Sequence, residues 1–155
     1  MYLDLLAALE DSWIGHAGRH SAWLYTTSNL LHVLGAAFVV GGIAVFDLKV
    51  VVERGKNAWQ VGRYAIPLAA SGLALQIPTG VVLLAVEARA LGVNPAFYAK
   101  LAFIVVGLVN VALFHARFGH VLRGHAIPQE ARIYAVVSLA AWILTLLAGR
   151  VIAYL

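Results

Sequence analysis

The stretch YAIPLAASGLALQIPTGVVLLAV, residues 64–86, decides the fold. It holds no charged side chain from end to end. As a helix rising about 1.5 Å per residue it runs about 34 Å, enough to cross a hydrocarbon core of about 30 Å. In lipid every backbone N–H and C=O must be satisfied within the protein, so the segment reads as helix rather than strand. The period-2 alternation of a membrane barrel is absent from the sequence.

Three further segments share this character. One is centred on 30–46, between Asn29 and Asp47; one covers 101–116, between Lys100 and Arg117; one covers 133–149, between Arg132 and Arg150, with 151–155 extending it. The expected spans are about 22–50, 63–90, 95–122 and 130–154. Composition agrees. Of 155 residues, 63% are apolar and 12% charged, against about 25% charged in a soluble domain. Mean hydropathy is +0.88. Lipid is therefore the solvent for most of a single domain covering 1–155. With no Cys and one Met, disulfides, thiolate metal sites and a Met-rich copper path are excluded. The net charge of +4 comes from basic residues at the ends of apolar runs, which is topology rather than nucleic-acid binding.

The N-terminal segment, 1–20, differs. Tyr2, Leu6, Leu9 and Trp13 share one helical face, with Asp4, Ala8 and Asp11 opposite. This predicts a short amphipathic helix in the membrane interface; it lacks the basic start of a signal peptide. Trp13, Trp23 and Tyr25 suit the headgroup level. The expected fold class is all-α, a four-transmembrane-helix bundle with a short amphipathic interfacial N-terminal helix. Asn94-Pro95 is a start signal for the third span, and Pro128 with Glu130 for the fourth. Pro67 and Pro78 are expected to bend the second span, as packing kinks or, at 76–79, as a hinge or cavity wall. Lys49, Arg54, Lys56 and Arg63 mark the first loop, and Arg117, Arg123 and Arg132 the third. The positive-inside rule then predicts a multi-pass membrane protein with loops one and three in the cytoplasm and both termini outside it.

Of six histidines, only His32 and His115 fall within apolar runs. Ionisable groups in a membrane are costly, usually face the bundle interior and are functional candidates by default. His32 lies on a stripe of small residues, Ser28, Gly35, Ala36 and Gly42, that suits close helix packing or a flat cofactor. His115 could hydrogen-bond Tyr64 or Tyr134, or hold a cofactor. Asn110, five residues before it, projects about 140° away and reads as glue between helices. Paired histidines could clamp one haem, but the expected difference in depth is roughly 15–20 Å, so two sites fit better. Second ligands would come from His16 or His20 beside His32, and from His120 beside His115. Arg150 and Asn29 complete the candidate cofactor contacts, Arg150 facing a haem propionate or Glu87. His16, His20, Glu10 and Asp11 match no metal motif by spacing. Asp47, the only acid near a span, reads as sitting at the cytoplasmic edge with Lys49. No phosphate-binding loop, nucleophile elbow or HExxH is present.

LEDSWIG (9–15), WLYTTSNLLHVLG (23–35), NVALFH (110–115) and AGRVIAYL (148–155) span nearly the whole chain. Through them it resembles a family of small bacterial membrane proteins defined only as a domain of unknown function. The resemblance implies four membrane helices, with Trp23, Asn29, His32, Asn110, His115 and Arg150 as motif positions, and implies no activity. Thr26 stands where the family pattern has proline, and His16 and His20 lie outside the pattern. A looser, architectural similarity is to four-helix membrane cytochromes b and copper-resistance membrane domains. The expected function is a subunit that binds haem b at His32 and His115 and transfers electrons, exchanging them with quinone. The alternatives are a non-catalytic partner or assembly subunit of a larger complex, and a small-solute carrier whose path is lined by Gln76, Pro78 and Thr79. Expected partners are the lipid bilayer and other membrane subunits or a second copy, not nucleic acid.

Overall fold

The structure, a computed structural model, describes residues 2–53, 58–119 and 127–154. The elements are α1 (Tyr2–Glu10), α2 (Trp13–His20), α3 (Ala22–Val52), α4 (Ala58–Val86), α5 (Ala88–Leu91), α6 (Pro95–Phe118) and α7 (Ala131–Val151), with a final 3₁₀ turn at Ile152–Tyr154. Four of these, α3, α4, α6 and α7, are long and apolar enough to cross a membrane. The protein is an integral membrane helical bundle, as its composition requires.

Packing follows the small residues. Gly35 and Gly72 bring α3 and α4 into backbone contact: a Cβ on Gly72 would stand 2.6 Å from the Gly35 carbonyl oxygen and 2.8 Å from the Val39 nitrogen. On the other side, Gly107 of α6 seats the Trp142 indole of α7, which a Cβ there would meet at 3.0 Å. The bundle is thus two tight pairs, α3/α4 and α6/α7, joined where α3 packs on α7. The fourth side differs. Helices α4 and α6 scarcely approach one another along their backbones, which leaves an open seam between the pairs. Both prolines sit inside α4, which continues through them.

The N-terminal segment forms two helices, α1 and α2, where one was expected. Ser12 breaks them by capping α2, its hydroxyl accepting from the Gly15 N–H at 3.4 Å. Of the predicted apolar face only Leu6 is buried; Tyr2 and Trp13 are exposed. Leu6 lies against Gly92, and Gly15 and Gly18 let α2 rest on Ala85 and Val86 at the end of α4. Arg89 clamps the strap. Its guanidinium donates to Glu10 Oε1 at 2.8 Å and Asp11 Oδ2 at 2.7 Å, while its backbone N–H donates to Glu10 Oε2 at 2.7 Å. Arg19 adds a bond of 2.7 Å to the Glu10 carbonyl oxygen. The backbone donation from Arg89, then its side chain, holds the Glu10 carboxyl below its ordinary pKa; the Arg89 side chain does the same for Asp11.

Candidate functional site

Histidine 32 projects from α3 onto α4, half-buried beside Gly80. Its Nδ1 lies 3.0 Å from the Thr79 hydroxyl oxygen. That hydroxyl has one proton, directed at the Leu75 carbonyl oxygen 2.6 Å away. Thr79 must therefore accept from His32, so Nδ1 carries the ring proton and Nε2 keeps a free lone pair. The Gln76 amide donates back to the His32 carbonyl oxygen at 3.4 Å. Gln76 and Thr79 thus hold α3 to α4. Pro78 is exposed, while Gln76 and Thr79, expected to line a carrier path, both bond to His32 of α3. Lys100, half-buried on α6, lies within electrostatic reach of the His32 ring.

Histidine 115 is exposed, and its Nδ1 donates to the Val111 carbonyl oxygen of its own helix at 2.9 Å. Neither Tyr64 nor Tyr134 is its hydrogen-bond partner. Tyr64 is exposed beneath the Arg63 guanidinium; Tyr134 packs its ring on Phe114 and Phe118. Asn110 acts as expected, donating from α6 to the Tyr134 carbonyl oxygen of α7 at 3.0 Å. The two histidines do not converge. Phe114, beside His115, packs edge-on against Phe46, and Phe46 lies about 21 Å of helix along α3 from His32. No single haem reaches both rings. Among the described residues no group of three or more His, Cys, Asp or Glu side chains could hold a metal. Asn29 is exposed on α3, and Arg150 donates to the Tyr154 hydroxyl at 2.8 Å rather than to Glu87. His16 and His20 stack on one another at the surface. His120 lies outside the described residues, as do Arg54, Lys56 and Arg123.

The strongest site is one that sequence reasoning placed elsewhere. A cavity of about 280 Å³ lies between the two helix pairs, walled largely by apolar side chains of α3, α4, α6 and α7. Four aromatic rings line it: Phe46, Phe114, Tyr134 and Trp142. So do Asp47 and Ser138, at 5% relative exposure each. Ser138 approaches the Asp47 carboxyl from α7. Two buried polar atoms have no hydrogen-bond partner among the described residues: Asp47 Oδ2 and Trp142 Nε1. Both residues line this cavity. Lys49 does not share the face of Asp47, because two residues along a helix is about 200° of rotation. Lys49 turns instead to Glu53, with Nζ 2.6 Å from Oε1. The legible signal was the small-residue stripe itself. Gly35, Val39, Gly42, Phe46 and Val50 are buried along one face of α3, and Asp47 stands on it.

An engineered apolar cavity of about 150 Å³ holds a benzene. This one is nearly twice that, enough for one substituted ring and too small for a macrocycle. Its lining includes the Asp47 carboxyl and the Trp142 indole, and it lies beside the α4/α6 seam. The chain matches no protein-family model, no curated protein and no solved structure.

Proposed function

We propose that this protein binds a small lipid-soluble molecule within the membrane, admitting it from the bilayer between α4 and α6. The observation that carries the reading is one cavity lined by Asp47 and Trp142, two residues that each hold a buried polar atom, Oδ2 and Nε1, without a partner among the described residues. A buried polar group without a partner costs about 1–3 kcal/mol, and native structures leave few of them without a reason. A ligand that bonds to both groups removes that cost on binding, while its apolar body fills space that apolar side chains already line. Quinone exchange remains within this reading, since a benzoquinone head group is a single ring with two acceptor oxygens. A haem-b subunit gains no support from the placement of His32 and His115.

The test uses Trp142 as its own reporter. With Trp13, Trp23 and Trp59 changed to Phe, the protein in lipid nanodiscs is titrated with two one-ring probes, a dimethoxy-methyl-benzoquinone and benzyltrimethylammonium. A saturable change in Trp142 emission with either probe is expected. A response that only grows linearly with both, as for any tryptophan in lipid, overturns the proposal.

A further inference from the structure

Among the described residues that line it, the cavity has one carboxyl and no lysine or arginine. The groups that face Asp47 can be taken helix by helix. From α4 the cavity is lined by Ala65, Ile66, Ala69, Ala70 and Leu73, none of which is titratable. From α6 comes His115, whose Nδ1 proton is committed to Val111. From α7 come Tyr134 and Ser138. On α3 itself, Lys49 is engaged with Glu53 at the surface. The nearby Arg63 lies over Tyr64, exposed, 4.7 Å from the ring centroid. A carboxylate in apolar surroundings is costly, and among the described residues only the Ser138 hydroxyl is placed to bond it, so its charge calls for neutralisation. A proton can provide this when the cavity is empty. When it is filled, the ligand can.

The aromatic walls say which ligand suits that role. Phe46 and Phe114 meet edge to face, with centroids 5.8 Å apart at 89°, and Phe114 meets Tyr134 at 66°. Rings so crossed turn negative faces in more than one direction, and such faces attract a desolvated cation. Carboxylate and aromatic faces together select positive charge. A neutral quinone would use the Trp142 N–H and leave the proton on Asp47, so it would draw nothing from the carboxylate charge or from the aromatic faces.

Building on the membrane ligand-binding reading above, we infer that the ligand is a small organic cation with an apolar body, held at Asp47 in exchange for a proton. The exchange balances: the carboxyl O–H bond breaks, one proton leaves to water, and one positive charge takes its place against the carboxylate. No covalent bond to the ligand forms.

The experiment compares benzyltrimethylammonium with neopentylbenzene, which replaces the charged nitrogen by carbon in the same shape, on the full chain in nanodiscs. The cation is expected to bind about tenfold or more tightly than its isostere, and to weaken as pH falls and the proton competes for the carboxylate. Calorimetry in two buffers of different ionisation enthalpy should show proton release on binding. Asp47→Asn, nearly the same shape, should bind the cation about tenfold or more weakly and without pH dependence. His115→Gln should keep that dependence, assigning it to Asp47. Should Asp47→Asn fail to fold, the isostere pair and the wild-type pH series decide alone. Equal binding of isostere and cation, a flat pH profile, or binding of the neutral ring alone overturns the cation inference while leaving the ligand-binding reading standing. Saturable binding of no probe at all overturns both.

Discussion

The Thr79 oxygen serves two hydrogen bonds, accepting from His32 and donating to the Leu75 carbonyl. Removing it strands the His32 N–H between two helices in lipid. His115 is the opposite case, since its ring bonds only to its own helix and crosses no interface. Thr79→Val is therefore expected to destabilise the fold by about 0.6–1.7 kcal/mol, the range for polar contacts between membrane helices, with Thr79→Ser close to wild type. His115→Leu should stay within about 0.5 kcal/mol. Unfolding from mixed micelles by graded denaturing detergent measures all three, and a His115→Leu loss larger than that of Thr79→Val would contradict the geometry. The sequence shows that both imidazoles are costly in a membrane. It cannot show where each finds its partner, because that depends on how α4 is rotated against α3. Asn110 was legible because an amide needs only a backbone carbonyl on any neighbour. The place of Asp47 in the cavity lining was not legible, because it depends on how the two helix pairs meet.

At the scale of the helices, the four long spans were readable to within a few residues, since lipid punishes any unpaired backbone group over the whole of their length. The division of the N-terminal segment was not, because a single serine cap and contacts with distant glycines decide it. The resulting α1–α2 strap is held by Arg89, and its attachment depends on pH. Folded-state pKa values of Glu10 and Asp11 lie below their ordinary values of 4.5 and 3.8. Lowered carboxyl values mean that the stabilisation is present above those ordinary values and fades as pH falls through the lower, folded ones. The strap is expected to stay closed near pH 7 and loosen below about pH 4, and Arg89→Gln should loosen it at neutral pH. Spin labels on Leu3→Cys and Val93→Cys, in a chain with no native cysteine, report the distance. An unchanged, narrow distribution in Arg89→Gln would show that Leu6 packing alone holds the strap.

For the whole molecule, the governing feature is the unequal joining of its two helix pairs. Glycine lets α3 and α4 close on each other, and another glycine lets α6 and α7 do so. The pairs then meet chiefly where α3 packs on α7, with Phe46 of α3 touching Phe114 of α6, so the α4/α6 side stays apart and the space between becomes the cavity. Hydropathy reads each span separately and is blind to this arrangement, which arises from small-residue contacts on all four helices acting together. Ala70 of α4 lines the cavity with its side chain exposed. Enlarging it fills empty space rather than compressing a packed core, where overpacking costs about 1–3 kcal/mol. Ala70→Phe is accordingly expected to keep the helical content and detergent stability of the wild type while abolishing the saturable response of Trp142 to one-ring probes. Full binding in Ala70→Phe would move the ligand out of this cavity. A protein that unfolds on the substitution would mean that α4 and α6 close together in the membrane and that no seam is open to the bilayer.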